Sequence, residues 1–303
     1  MPNKTISIFM YKLSLPTLFT YIGIVCYPLF ILSCSKETVI DNLHEEYGQK
    51  FQPQYERWDS WNDAYPNADY KGAVQATEGI CLKGKSIAII GGSLSCRNEV
   101  RVLKQLIYDH MGQPNIFNYG KGGCGCATSN ISFQNLISQC GIHDIYIIWC
   151  STNDYATGVP IGEKDDYTAK DGFNINKRKN QCGGLNYCIQ YLKRLNPKAL
   201  IIGYTSLQFF GSNANRPDGY LENISADNGQ DITFYDYMSI QAEVFEQNNI
   251  PYLHQWNLQL FTKETYTSYY LSDGWHLSKA GYFLLGCEHL KFLSRTIKEN
   301  NHD

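Results

Sequence analysis

Short apolar runs alternate with helical patterns from Lys85 onward, and this alternation is the feature that most constrains the fold. The sequence predicts strands at Ser86–Gly91, Ile116–Tyr119, Asp144–Cys150, Ala199–Tyr204 and Pro251–Leu253. It predicts helices at Asn98–His110, Ser129–Gln139, Leu185–Arg194, Phe234–Gln247 and Lys279–Lys298. Strands and helices that alternate in this way form β-α-β units with parallel strands. We therefore expect a three-layer α/β/α sandwich around a central parallel sheet of about five strands.

The chain has 303 residues, which is enough for one α/β domain of ordinary size and an extension. We place the domain at residues 81–303. Residues 51–80 contain Trp58 and Trp61 but no sustained periodicity. We expect this extension to pack its aromatic side chains on the domain, and the alternative is that one tryptophan lines a ligand groove.

The N-terminal segment has the pattern of an export signal. Lys4 and Lys12 precede an uncharged stretch that continues to residue 35. Its apolar part is longer than the usual signal core of about 7–15 residues, so an uncleaved membrane anchor is the alternative. The stretch ends in Ile31-Leu-Ser-Cys34, which resembles the lipobox of bacterial lipoproteins. This resemblance implies a signal peptide at residues 1–33 and a lipid on Cys34. A polar tether would follow at residues 34–50, and the domain would be held at the bacterial cell envelope, periplasmic or surface-exposed.

The net charge bears on whether the chain binds nucleic acid, and the cysteines bear on whether it forms disulfides or binds metal. The net charge is −3 and the lysines and arginines are scattered, so we expect no nucleic acid partner. Without Cys26 and Cys34, nine of the eleven cysteines remain. Nine is odd, so at least one is unpaired, and an exported chain permits disulfides whose pattern the sequence does not give. Cys124-Gly-Cys126, Cys182 and Cys188 lack the spacing and the nearby histidines of a zinc site, so we expect packing or disulfides rather than metal.

Ser93 directly follows the first predicted strand and is preceded by Gly91 and Gly92. Two residues without side chains permit a sharp turn from strand to helix, and such a turn exposes a hydroxyl near a helix N-terminus. Ser93 is therefore a candidate nucleophile. One alternative is that Ser93 only caps the helix. A phosphate-binding loop is a second alternative, but the glycine and lysine spacing that it needs is missing.

A carboxylate and an imidazole lie three residues apart in Asp273-Gly-Trp-His276. An imidazole can accept a proton from a hydroxyl when a carboxylate fixes its other nitrogen, so His276 is a candidate general base and Asp273 its partner. The alternative is structural: Asp273-Gly274 would form a turn and His276 would cap the last helix.

Two further polar segments, Asn118-Tyr-Gly120 and Ser151-Thr-Asn-Asp154, follow predicted strands. Attack on an ester creates an oxyanion, which needs hydrogen-bond donors already aimed at it. The candidates are the backbone N–H groups of Ser93 and Gly120 and the side-chain amide of Asn153. The alternative is that Gly120 and Asn153 serve only a turn and a loop.

Four short blocks, in this order along the chain, resemble those of the SGNH (GDSL-type) hydrolase family: Gly91-Gly-Ser93, Asn118-Tyr-Gly120, Thr152-Asn-Asp154 and Asp273-Gly-Trp-His276. The resemblance covers roughly residues 85–295. It implies a flavodoxin-like sandwich in which Ser93 is the nucleophile, His276 the general base and acid, and Asp273 its orienting group. It also implies that Ser93, Gly120 and Asn153 form the oxyanion hole and that no cofactor or metal is required.

The chain departs from the family blocks at two positions. Gly92 stands where the family usually has aspartate, and Ser151 stands where it usually has glycine. Neither departure removes a group that handles protons or charge. Both bear on the support of the nucleophile turn and on the room beside Asn153.

The resemblance implies a serine esterase that acts on a small-molecule or glycan ester. We expect removal of acetyl or other small acyl groups from a carbohydrate. The alternatives are a lipase, thioesterase or acyltransferase on the same fold, or a carbohydrate-binding lipoprotein without turnover. Two long polar stretches, Tyr155–Cys182 and Phe209–Ile232, are predicted to be functional loops, the first of them at the border of the site.

Overall fold

The computed structural model describes residues 48–128, 131–211 and 233–300. The predicted signal peptide, Cys34, nearly all of the tether and residues 212–232 of the second polar stretch lie outside these ranges. Within these ranges, no helix combines the length and apolar character needed to cross a membrane.

The centre of the fold is a parallel sheet, as predicted. Its strands are β1 Ser86–Gly91, β2 Asn115–Asn118, β3 Ile145–Trp149, β4 Leu200–Tyr204 and β5 Tyr252–Leu253. They lie in the order β2-β1-β3-β4-β5, and every neighbouring pair is parallel. Each observed strand begins and ends within one residue of its predicted bounds, because buried parallel strands are near-continuous apolar runs.

The helices, in chain order, are α1 Trp58–Ala64, α2 Tyr70–Ala76, α3 Ser93–Cys96, α4 Arg101–His110, α5 Phe133–Ile137, α6 Asn153–Ala156, α7 Gln181–Leu195, α8 Phe234–Gln247, α9 Tyr266–Tyr269 and α10 Lys279–Asn300. Short 3₁₀ helices lie at Asn98–Val100, Ala169–Asp171, Ile175–Lys179 and Gln255–Leu258. The predicted first residues of α5 and α7 were wrong, because capping side chains determine where these two helices begin. The Ser132 and Asn135 side chains form a capping box that starts α5, and the Asn180 side chain accepts the Gly183 N–H at the start of α7.

Alternate residues of the central strands face opposite layers. Ile87 and Ile89 of β1 pack with α4 and α10, whereas Ala88 and Ile90 pack with α5, α7 and α8. This alternation is the two-residue period of a strand, and it places one apolar core on each face of the sheet. Because β1, β2 and β3 are parallel, the polar segments that follow them all lie at the carboxyl ends of the strands.

The residues before β1 pack on the first of these two cores. The Trp58 ring stacks on the Phe283 ring of α10, with centroids 6.0 Å apart and planes at 10°, and Trp58 Nε1 donates to Asp109 Oδ2 at 2.9 Å. The centroid of Trp61 lies 5.5 Å from that of Phe283. These contacts account for both tryptophans as packing residues and do not support the alternative of a ligand groove.

No disulfide joins the nine cysteines of the described residues, so the packing alternative is right for them and the disulfide alternative is wrong. Six of the nine thiols lie in the core between the sheet and helices α5, α7 and α8: Cys124, Cys126, Cys140, Cys150, Cys182 and Cys188. Burial raises the pKa of Cys124 and of Cys140 to about 12. Thiols of this kind behave as small apolar side chains rather than nucleophiles.

Alkylation is expected to separate one cysteine from the others. Cys81 is exposed, whereas the other eight described cysteines are buried. Since only an accessible thiolate reacts, iodoacetamide should modify Cys81 in the native protein and the other eight only in denaturant. Mass-spectrometric mapping of the labelled peptides measures this. Native labelling of Cys182 as fast as that of Cys81 would contradict the packing.

A neutral histidine is buried between α10 and the sheet. His289 is fully buried, its Nε2 lies 3.0 Å from Gln255 Oε1, and its ring centroid lies 4.0 Å from that of Tyr204. Burial disfavours the charged imidazolium and lowers the pKa of His289 to about 3. The unfolded chain binds a proton at this residue near pH 6.5, and the folded chain does so only near pH 3.

The folded state should therefore lose stability as the pH falls from 6.5 toward 3. Between pH 7 and pH 5 we expect His289 to lower the free energy of unfolding by about 2 kcal/mol, since each pH unit below the unfolded pKa contributes about 1.4 kcal/mol. His289→Gln keeps a donor for Gln255 but cannot be protonated. The difference in unfolding free energy between wild type and this variant, measured in urea, should shrink by that amount at pH 5. A difference that is independent of pH would contradict this prediction.

Candidate active site

The turn that carries Ser93 is held by Ser95. The backbone N–H and the Oγ of Ser95 both donate to Gly92 O, at 3.0 and 2.8 Å. Gly92 is the N-cap of α3, and Ser93 is its first helical residue. The interpretation of Ser93 as a cap is therefore wrong. Its hydroxyl projects from the carboxyl end of β1 and is available to another partner.

That partner is the imidazole of His276, which is 183 residues further along the chain. Ser93 Oγ lies 2.8 Å from His276 Nε2, and His276 Nδ1 lies 2.7 Å from Asp273 Oδ2. The structure thus brings the three predicted catalytic side chains into one hydrogen-bonded chain.

The Asp273 carboxylate is held on both oxygens. Its Oδ1 accepts the backbone N–H groups of Trp275 at 2.8 Å and His276 at 3.0 Å, which leaves Oδ2 for the imidazole. Burial by itself would raise the pKa of Asp273, but the hydrogen bonds from the His276 ring and from the two backbone N–H groups outweigh it and hold the pKa below its usual value. The carboxylate therefore stays ionised and can fix the ring.

The loop that carries Asp273 and His276 is fastened to the segment after β4. Gly274 has a left-handed φ of 65°, and its carbonyl accepts the backbone N–H groups of Phe210 at 2.7 Å and Gly211 at 3.1 Å. The Trp275 ring stacks on Phe209, with centroids 3.8 Å apart and planes at 12°. The first residues of the second predicted polar loop thus support the histidine side of the site.

The three predicted oxyanion donors differ in whether they already donate a hydrogen bond within the protein. Among the described residues, the Ser93 backbone N–H has no acceptor, as expected for the first turn of a helix. The Gly120 N–H instead donates to Asn118 Oδ1 at 2.9 Å, so it would have to share or exchange that bond to serve a substrate. Asn153 Nδ2 donates to Cys124 O at 2.9 Å and lies 3.3 Å from Ser151 Oγ. The roles of Gly120 and Asn153 stay predictions.

Asp154 supports the loop beside the site, and no role was predicted for it from the sequence. It is fully buried, and its two carboxylate oxygens accept the backbone N–H groups of Cys126 at 2.6 Å and Ala127 at 3.0 Å. Burial raises the pKa of Asp154 to about 6, although these hydrogen bonds oppose the shift. Asp154 thereby fixes the loop that presents Cys124 O to Asn153. Nothing in the sequence around Asn153 predicts that the Asp154 carboxylate points inward to these two N–H groups.

An open depression of about 630 Å³ lies beyond α6, on the side of the loop that Asp154 fixes. Its lining includes Gln134, Thr157, Arg178 and Lys179. Thr157 Oγ1 donates to Asn153 O at 2.7 Å, and neither Asn153 nor any of the three predicted catalytic side chains is among the lining residues. Residues 175–179 belong to the first predicted polar loop. Within the described ranges, no three His, Cys, Asp or Glu side chains cluster closely enough to bind a metal ion.

No protein-family model matches this chain, and no curated protein matches it in sequence. Solved structures do match. One has a TM-score of 0.60 and 20% identity over 71% of this chain and 98% of its own. A protein from Lactobacillus plantarum has a TM-score of 0.54 and 17% identity over 71% of this chain and 95% of its own. A possible lipase from Chitinophaga pinensis has a TM-score of 0.50 and 16% identity over 71% and 98%.

At these identities the similarity establishes the fold. The matching structures share the α/β fold of this chain, with its parallel five-stranded sheet and flanking helices. The predicted three-layer α/β/α sandwich around a parallel sheet of about five strands is therefore confirmed.

Proposed function

We propose that this chain is an SGNH-type serine esterase in which Ser93, His276 and Asp273 form the catalytic triad. The observation that carries the proposal is the continuous chain of contacts from Ser93 Oγ to His276 Nε2 at 2.8 Å and from His276 Nδ1 to Asp273 Oδ2 at 2.7 Å. A nucleophile, a base and an orienting group within hydrogen-bond distance are the geometric requirement for acyl transfer.

In the proposed mechanism, Asp273 accepts the Nδ1–H of neutral His276, so Nε2 is the basic nitrogen and accepts the Ser93 proton. Ser93 Oγ attacks the ester carbonyl carbon, and the carbonyl oxygen becomes an oxyanion. His276 then gives its proton to the leaving alcohol as the carbon–oxygen bond breaks. Water gives a proton to His276 and attacks the acyl carbon. His276 returns that proton to Ser93 Oγ as the acyl–oxygen bond breaks, which releases the carboxylic acid and free Ser93.

The oxyanion needs donors that are in place before the attack. In this proposal the Ser93 backbone N–H and Asn153 Nδ2 supply them, and the Gly120 N–H joins by releasing Asn118 Oδ1. The N-terminal position of Ser93 in α3 leaves its N–H free for this purpose.

The proposed substrate is an acetyl or other small acyl ester on a carbohydrate. The predicted export and the many aromatic side chains that carry a polar group, 23 Tyr and 5 Trp among them, support this choice, because such rings can pack flat against a sugar at a wet surface.

The test combines active-site labelling with a substrate series. A fluorophosphonate should form an adduct on Ser93 in the wild-type protein and none in Ser93→Ala, as located by mass spectrometry. Hydrolysis of p-nitrophenyl esters should fall from acetyl to longer acyl chains, and acetylated glycans should release acetate. A preference for long chains would favour a lipase or thioesterase. Absence of labelling and turnover, with glycan binding retained, would favour a binding lipoprotein.

Export and attachment to the bacterial envelope through a lipid on Cys34 are a separate part of the proposal. The sequence Ile31-Leu-Ser-Cys34 supports it. Metabolic labelling with a radioactive fatty acid should mark the wild-type protein in a bacterial host and be lost in Cys34→Ser. Equal labelling of both would rule out this attachment site.

A further inference from the structure

The two positions at which the chain departs from the SGNH blocks are in contact. A Cβ placed on Gly92 would lie 2.7 Å from Ser151 Cβ, 2.8 Å from Cys124 O and 3.0 Å from Asn153 Nδ2. The separations of 2.7 and 2.8 Å do not occur for a real Cβ atom without movement of its neighbours. The Ser151 side chain therefore occupies space that is available only because residue 92 is a glycine and has no side chain.

The Ser151 hydroxyl uses this space to contact the Asn153 amide. Ser151 is only 4% exposed, and its Oγ donates to Cys124 O at 2.6 Å. The same oxygen lies 3.3 Å from the backbone nitrogen and 3.3 Å from the Nδ2 of Asn153, both of which donate to it. A hydroxyl has one donor and two acceptor sites, so these three contacts use all of them.

Cys124 O ties this group together from the other side. It accepts Asn153 Nδ2 at 2.9 Å as well as Ser151 Oγ. One amide hydrogen of Asn153 is thus held by a backbone carbonyl, while the long contact to Ser151 Oγ is the weaker of the two. A developing oxyanion can replace the weaker contact, while the bond from Nδ2 to Cys124 O and the bond from the Asn153 backbone N–H to Ser151 Oγ remain and keep the amide in place.

Buried groups beyond Ser151 hold its backbone in place. Ser206 Oγ donates to Ser151 O at 2.8 Å, and the Gln241 side chain binds both the N–H and the Oγ of Ser206, at 2.8 and 2.9 Å. Gln241 Nε2 also donates to Gln181 Oε1 at 2.9 Å. Networks in which each member is satisfied keep a single conformation, so Ser151 is a rigid support.

We infer that Gly92 and Ser151 form a compensating pair, and that Ser151 is a positioning residue that aims the Asn153 amide at the oxyanion. The inference rests on the proposed esterase function and adds a residue that acts through Asn153 rather than on the substrate. A purely structural role for Ser151 makes a different prediction, because its loss would then not depend on Asn153.

The first test is a double-mutant cycle on p-nitrophenyl acetate. Ser151→Ala keeps the Cβ but removes the hydroxyl. We expect kcat to fall about tenfold with KM within about twofold, which is below the 10²–10³-fold loss typical of a missing oxyanion donor. In an Asn153→Ala background the same change should alter kcat by less than about twofold, because its target is already gone.

Ser294→Ala is the matched control for this cycle. It removes the hydroxyl of another buried serine, which lies in α10, is 1% exposed and has no hydrogen-bond partner among the described residues. We expect its small effect on kcat to be the same with and without Asn153. If the Ser151→Ala effect is also the same in both backgrounds, the positioning role is refuted.

The second test exchanges the two positions. Gly92→Ala should push against Ser151 Cβ and lower kcat in the wild type, whereas in a Ser151→Gly background, which lacks that Cβ, the same change should lower kcat by a smaller factor. An equal effect of Gly92→Ala in the two backgrounds would overturn the compensating pair. If the wild type neither hydrolyses esters nor reacts with a fluorophosphonate at Ser93, the proposed function fails and this inference fails with it. An active wild type with an unaffected Ser151→Ala variant overturns the inference alone.

Discussion

Ser93→Ala is expected to lower kcat on p-nitrophenyl acetate by at least about 10⁴-fold, because loss of a triad nucleophile in serine hydrolases leaves only the catalysis that the oxyanion hole and binding supply. Alanine fits the first position of α3, and the hydrogen bonds that hold the turn come from Ser95. Circular dichroism and thermal unfolding should therefore match those of the wild type.

Ser138→Ala is a suitable control for this experiment. Ser138 is exposed at the end of α5, and its hydroxyl donates only to Asn135 O, at 2.8 Å. We expect its kcat to equal that of the wild type. Equal turnover by Ser93→Ala and wild type would show that another group attacks the ester, and the assigned nucleophile would be wrong.

The fold could be predicted from the sequence because its strands are short, continuous and apolar. The observed β1, Ser86–Gly91, and α8, Phe234–Gln247, have their predicted bounds. Polar residues that directly follow parallel strands lie together at the carboxyl ends of those strands. Ser93 and Asn153 could therefore be predicted to lie near each other from the sequence. The prediction that His276 lies beside Ser93 came from the family resemblance, since no local sequence pattern links residues 183 positions apart.

Side-chain partners could not be predicted in the same way, because they depend on distances between segments. The bond from the Gly120 N–H to Asn118 Oδ1 depends on the local turn, and the inward carboxylate of Asp154 depends on where the 125–127 loop lies. The contact of Gly92 with Ser151 joins two blocks that are about sixty residues apart. Two departures that are independent in the sequence are neighbours in the structure.

Asp273→Asn is expected to lower kcat by about 10⁴-fold, as a wrong imidazole tautomer does in other triads. The reason lies in the two oxygens of Asp273. The asparagine oxygen should keep the bonds from the Trp275 and His276 backbone N–H groups, since both are donors. The amide nitrogen then takes the place of Oδ2 and donates to His276 Nδ1. The ring must carry its proton on Nε2, which faces Ser93 Oγ, so it cannot accept the proton of the nucleophile.

This prediction separates proton placement from loop structure. Because the backbone bonds are kept, the stacking of Trp275 on Phe209 should survive, and tryptophan fluorescence should be unchanged. Asp236→Asn is the matched control, since Asp236 also accepts a nearby backbone N–H, that of Thr233 at 2.7 Å, but serves only the cap of α8. We expect the control to keep the wild-type kcat. A loss of less than about tenfold in Asp273→Asn would mean that His276 does not depend on Asp273 for its tautomer, and the triad would reduce to a Ser93–His276 pair.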